Sequence, residues 1–71
     1  PNPAQEAITF EMKDSAPVWF TLYDLQANQV QRFRPSTKTW QVLRGSLASG
    51  VYLFRIEDTS GAHQMGRLHF H

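Results

Sequence analysis

The stretch Leu-Ala-Ser-Gly-Val-Tyr-Leu-Phe-Arg-Ile, residues 47–56, decides how the rest of the chain is read. Ser49-Gly50 signals a turn, because glycine enters the positive-φ region without the steric penalty of a Cβ. Tyr52, Phe54 and Ile56 then alternate with Val51, Leu53 and Arg55. A run of β-branched and aromatic residues that is apolar on nearly both faces predicts a strand inside a sheet, with neighbours on either side. The flanking sequence has to supply those neighbours.

On the carboxyl side, Asp58-Thr59-Ser60-Gly61 predicts a turn, after which residues 64–71 return as a strand. Gly66, Leu68 and Phe70 share one face of it, and Arg67, His69 and His71 share the other. On the amino side, Trp40, Val42 and Leu43 mark a short strand closed by Arg44-Gly45-Ser46. Residues 29–34 form a weaker one. Val30 and Phe33 fall on opposite parities there, so either a bulge reconciles them or only one is buried. Asp24-Leu25-Gln26-Ala27-Asn28 reads as a hairpin loop, with Asn28 the residue expected at positive φ. Earlier still, Val18, Phe20 and Leu22 alternate with Trp19, Thr21 and Tyr23, and Ile8, Phe10 and Met12 alternate with Thr9, Glu11 and Lys13. The turn Asp14-Ser15-Ala16-Pro17 separates these two strands.

No segment carries a 3.6-residue period, and turn signals recur about every 8–12 residues, which predicts an all-β fold. The expectation is a small antiparallel β-sandwich of six to seven strands over residues 7–71, preceded by a polar lead-in over residues 1–6. A chain of 71 residues makes one domain, and it buries only about 60% of the surface its unfolded form exposes. It has no cysteine, so neither disulfides nor a thiolate zinc site hold it together. A formal charge of +1 is too balanced for a nucleic-acid footprint. No apolar stretch reaches the roughly 20 residues of a membrane span, and Pro-Asn-Pro-Ala lacks the basic and apolar regions of a signal peptide. That opening reads as the end of a linker from a longer protein.

Pro-Asn-Pro-Ala at the start, Tyr23-Asp24-Leu25 closing the second strand, the Leu47 to Tyr52 stretch and a terminal Gly66-Arg67-Leu68 strand, taken together, resemble one known family. This is the type A carboxy-terminal sorting domain of the type IX secretion system, found at the ends of proteins exported by Bacteroidetes and related bacteria. The resemblance covers essentially the whole chain, and Leu-x-x-Gly-Val-Tyr is its most specific element. It implies a compact immunoglobulin-like sandwich that is non-enzymatic and follows the functional part of a secreted protein. The implied partners are that attached cargo, the outer-membrane translocation machinery and a sortase-like peptidase that removes the domain and links the cargo to surface lipopolysaccharide. The implied location is secreted or cell surface, by way of the periplasm and outer membrane. Residue by residue, it assigns Leu47, Gly50, Val51 and Tyr52 to a loop-and-strand motif, and Gly66, Arg67 and Leu68 to a terminal motif. The chain departs from the family in two places. Ala27 stands where the hairpin usually has glycine, which moves the expected positive φ to Asn28. Arg67-Leu68-His69-Phe70-His71 stands where the end usually reads Lys, apolar residues and often another Lys.

Other readings compete at single positions. Tyr52 is expected to be a packed tyrosine with a bonded hydroxyl, which makes the motif mostly architectural. Trp19, Tyr23 and Trp40 invite a carbohydrate-binding module, since flat aromatics on an exposed sheet face stack on sugar rings; the plainer reading caps or flanks the sandwich with them. A purely structural immunoglobulin-like appendage is a further alternative. His63, His69 and His71 include two residues spaced for one side of a strand, but with no nearby carboxylate they are expected to be solvent-exposed, with no metal or other cofactor. No nucleophile, base and orienting acid are spaced to suggest catalysis. Arg32 and Arg34, alternating with Phe33, are read as a solvated strand face.

Overall fold

The computed structural model describes residues 6–71, so the lead-in lies outside the described residues except for Glu6. Six strands follow one another: β1 (Ala7–Glu11), β2 (Trp19–Tyr23), β3 (Gln29–Phe33), β4 (Thr39–Leu43), β5 (Gly50–Glu57) and β6 (His63–Phe70). Among the described residues no helix is long and apolar enough to cross a membrane. The strands form two sheets, β1-β4 and β3-β2-β5-β6, in which every pairing is antiparallel. The Cα atoms span 35 × 29 × 15 Å, and the short dimension is that of two sheets stacked about 10 Å apart. The result is the small β-sandwich that the alternating pattern predicts.

The core lies between the sheets and draws on alternate residues of four strands: Phe20 and Leu22, Trp40 and Val42, Tyr52 and Ile56, Leu68 and Phe70. Phe10 of β1 ties the layers together. Its ring stacks on Trp40 at 5.5 Å and meets Phe54 edge-on at 4.9 Å. Such aromatic contacts add about 0.5–1.5 kcal/mol each beyond the area they bury. The long apolar strand sits inside its sheet as expected, with β2 on one side and β6 on the other.

Two details of local geometry decide how the edges of the four-stranded sheet are held. The pairing of β2 with β3 steps from Leu22↔Gln31 to Tyr23↔Gln29, which leaves Val30 as an extra residue. That bulge is what lets Val30 and Phe33, on opposite parities, both pack against the core. The second detail corrects the hairpin loop: positive φ falls on Ala27, at 68°, and not on Asn28. The Asp24 carboxylate fixes the frame by accepting from the backbone N–H of Gln26 and of Asn28, each at 2.9 Å. The Ala27 N–H donates to the Asp24 carbonyl, and the Asp24 N–H donates to that of Asn28. A three-residue loop closed in this way needs its last residue left-handed, whichever side chain that residue carries. Asn28 instead donates its side-chain amide to Asp24 Oδ2 at 3.2 Å.

Candidate functional site

The two stretches singled out by the family resemblance become neighbours in the fold. β5 and β6 pair without a register break, placing Gly50 opposite Phe70, Val51 opposite His69, Tyr52 opposite Leu68, Leu53 opposite Arg67 and Phe54 opposite Gly66. Gly50 begins β5 at φ 142°, a conformation that side chains rarely adopt. Tyr52 is 7% exposed, and its hydroxyl donates to the Ala48 carbonyl at 2.6 Å. That bond folds the loop back onto β5, where Leu47 packs against the core. Tyr52 is thus the packed tyrosine with a bonded hydroxyl that its place in the pattern predicts.

Gly66 has a steric role in the pairing. A Cβ at this position would lie 2.6 Å from Phe54 Cζ, so the Phe54 ring occupies the space that any side chain would need. Leu68 and Phe70 point into the core, with Phe70 fully buried, while Arg67 and His69 stand exposed on the outer face. The end of the strand is pinned by Glu6, whose carboxylate oxygens accept the His71 N–H at 3.0 and 3.1 Å. The Glu6 carbonyl also accepts the Arg44 N–H, so this residue ties the start of β1 to both β4 and β6.

The two edges of the four-stranded sheet are built differently. β3 is five residues long and bulged, it runs into buried Pro35, and Gln31 reaches across to donate to the Leu43 carbonyl of β4 at 2.9 Å. Bulges, shortness and covering contacts are how proteins block unwanted strand addition. β6 is eight residues long and regular, and among the described residues nothing pairs with its far side. Beside it, where β1 is the last strand of the opposite sheet, an open cleft of about 590 Å³ is lined by Phe10, Met12, Phe54, Ile56 and Gln64, with polar turn residues at its mouth.

The remaining candidates are dispersed. Trp40 is 8% exposed and stacked in the core, whereas Trp19 and Tyr23 lie half-buried on the opposite, outward face of β2. These three rings therefore share no platform. Trp19 is instead overlaid by guanidinium groups, Arg32 at 4.0 Å and Arg34 at 5.6 Å from the ring centre, an arrangement the sequence reading of a solvated strand face did not anticipate. The alternation Arg-Phe-Arg next to an outward Trp was the available signal, but its meaning depended on knowing that β3 pairs with β2. His63 accepts from Arg55 Nε at 2.9 Å, while the His69 and His71 rings lie 4.3 Å apart. Among the described residues no three His, Asp or Glu side chains gather as a metal site would require.

The geometry thus joins two stretches, residues 47–52 and 66–68, through the β5–β6 register. A family model described as the secretion system C-terminal sorting domain matches residues 1–68. No curated protein and no solved structure matches the chain. The family match takes in both motif stretches and all six strands but for the last residues of β6, and on that coverage the chain belongs to the C-terminal sorting domains of type IX secretion.

Proposed function

We propose that this chain marks the protein that carries it for export by type IX secretion, a reading that its family match supports. We propose that the feature read by the export machinery is the free edge of β6, and that it is read by strand addition. The observation that carries this is the regular eight-residue edge of β6, set against a β3 edge that is bulged and covered. In strand addition, main-chain hydrogen bonds supply affinity and pockets for alternate side chains supply specificity. The apolar walls of the adjoining cleft, Phe10, Met12, Phe54 and Ile56, offer such pockets. In this reading Leu47, Gly50, Val51 and Tyr52 hold β5 straight so that Gly66, Arg67 and Leu68 present a straight edge in turn. The domain performs no chemistry of its own. After translocation of an attached cargo, a sortase-like peptidase removes the domain and anchors the cargo at the cell surface.

The test is export of a cargo fused ahead of the domain, measured in the medium and on the surface. Deleting residues 67–71 is expected to leave the cargo inside the cell. Because that deletion also removes buried Leu68 and Phe70, the double variant Arg67→Glu, His69→Glu serves as the companion, since both side chains are exposed. It is expected to fold as the parent does and to export poorly. Parental export from both variants would overturn the proposal.

A further inference from the structure

The outward face of the four-stranded sheet concentrates charge that the sequence as a whole hides. Arg32 and Arg34 from the β3 side, Arg55 from β5 and Arg67 from β6 all lie on it. The one carboxylate that its strands carry there is Glu57, which lies 3.8 Å from Arg55. Glu11 stands on β1 of the other sheet, and Asp14, Asp24 and Asp58 occupy turns. A chain of formal charge +1 thus folds into a molecule with one strongly cationic side.

The composition of that side says what kind of anion suits it. All its strong cations are arginines, while Lys13 follows β1 and Lys38 precedes β4. The arginines are interleaved with half-buried Trp19 and Tyr23 and with Met65, which is 66% exposed. Arginine, tryptophan, tyrosine and methionine are enriched at protein–protein contacts and lysine is depleted there, whereas a surface that only gathers phosphates has no reason to exclude lysine. Stacking on Trp19 also holds the Arg32 and Arg34 guanidiniums in place before a partner arrives, which lowers the ordering cost of binding. The broad side of a molecule 35 × 29 × 15 Å across suits a standard contact of about 800 Å² per partner.

We infer that this face docks an acidic protein surface of the export machinery, as a second contact beside the β6 edge. The inference rests on the sorting function proposed above. Arg32 and Arg34 belong to the far edge of the sheet, separated from β6 by β2 and β5. A reader that touches only the β6 edge is indifferent to them, and a reader that covers the face is not.

The experiment uses the whole chain fused to its cargo in an exporting cell, comparing Arg32→Glu with Arg34→Glu against Lys38→Glu, an exposed cation off this face and outside the cleft beside β6. Reversing the arginine pair is expected to lower export about tenfold or more by placing like charges against the partner. Its melting temperature is expected to stay within about 5 °C of the parent. The lysine variant is expected to export normally. A photo-crosslinking residue at Met65 is expected to give an adduct with a protein that disappears in the arginine pair. Should reversal unfold the domain, Arg32→Gln with Arg34→Gln carries the same test, with an expected loss of about threefold. Parental export from the arginine pair, an equal loss in the lysine variant, or an adduct to lipid or glycan in place of protein would overturn the inference. Deletion of residues 67–71 separates the two proposals. If that deletion still exports, the sorting reading itself fails; if it abolishes export while the arginine pair exports normally, only the docking face fails.

Discussion

The hairpins β2–β3 and β5–β6 are built on the same turn yet deliver opposite kinds of edge. In each, an aspartate opens a five-residue segment, Asp24 to Asn28 or Asp58 to Ala62. The aspartate N–H donates to the carbonyl of the fifth residue, and the N–H of the fourth donates to the aspartate carbonyl. The carboxylates accept from the third and fifth N–H groups, at 2.9 Å twice in the first turn and 2.9 and 3.0 Å in the second. The fourth residue is left-handed in both, Ala27 at φ 68° and Gly61 at φ 87°. A shared turn therefore sets the return direction of the chain, and the strand that follows determines what the edge becomes. After the first turn comes the bulged, covered β3; after the second comes the regular, open β6.

If β6 is both a core strand and the open edge, its loss has to cost more than that of β3. Phe70 is fully buried, whereas Phe33 is half-buried against Phe20 at 5.3 Å. Phe70→Ala is expected to lose about 3–5 kcal/mol in urea unfolding, about half of the roughly 4–10 kcal/mol available to a chain of this size. Phe33→Ala is expected to lose clearly less. Equal losses would mean that the two edges share the core evenly and would break the contrast between them.

The next largest effect tests how closely β6 fits its neighbour. Gly66→Ala brings a Cβ onto the Phe54 ring, which is itself held by Phe10 and Phe20, so overpacking of about 1–3 kcal/mol is expected. Adding Phe54→Leu to that variant is expected to return part of the loss. A Gly66→Ala protein with parental stability would show that β6 is held more loosely than β5–β6 pairing implies.

Much of this was legible in the chain. Alternation placed β1, β2 and β6, because a period of two is readable wherever one face is buried and the other is wet, while β5 showed as a continuous apolar run and β3 and β4 as short runs between turn signals. The parity conflict between Val30 and Phe33 left two readings, a bulge or the burial of only one of them, and the chain takes the bulge. Trp40 and Val42, two apart with polar Gln41 between them, share the inner face of β4, a spacing that the sugar-stacking reading of Trp40 did not weigh. What the chain withheld depended on pairing. Arg32, Arg34, Arg55 and Arg67 are spread over 36 positions of sequence and meet only through the order β3-β2-β5-β6. The misplacement of positive φ onto Asn28 has a similar origin: residue preference was weighed alone, while the Asp24 bonds fixed which position had to be left-handed.

That misplacement leads to a test of the shared turn. Ala27 bears a left-handed backbone that costs an L-residue about 1–2 kcal/mol, and Gly61 in the equivalent slot does not. Ala27→Gly is expected to stabilise the protein by up to about 1 kcal/mol, after the flexibility glycine adds to the unfolded chain is set against the relieved strain. For a domain this small, that raises the melting temperature by about 4–8 °C. Gly61→Ala is expected to lower it by a similar amount, although nothing lies within 4 Å of the new Cβ, because strain and not crowding is the cause. A melting temperature unmoved by both exchanges would mean that the two turns are not equivalent.

The smallest effect concerns the aspartates that define the turns. The Asn28 backbone N–H holds the Asp24 carboxyl below the ordinary aspartate value; desolvation opposes it, and the Asn28 side-chain amide and the Gln26 N–H assist. At Asp58 the Ser60 hydroxyl, at 2.6 Å, does most to lower it; desolvation again opposes, and the Ser60 and Ala62 N–H groups and the nearby His63 charge assist. Both carboxyls thus hold a proton less readily when folded than when unfolded. Their contribution to stability is complete above the unfolded value, near about pH 4, and is lost as the pH falls through the lower folded value. Asp24→Asn and Asp58→Asn are therefore expected to melt slightly below the parent at neutral pH, and the gap is expected to close as the pH falls below about 4. The gap is expected to be wider for Asp58, whose side-chain bond comes from the Ser60 hydroxyl at 2.6 Å, where Asp24 has only the Asn28 amide at 3.2 Å. A gap that widens toward acid would require carboxyls held above their unfolded value, and the bonds counted in these turns all act in the opposite sense.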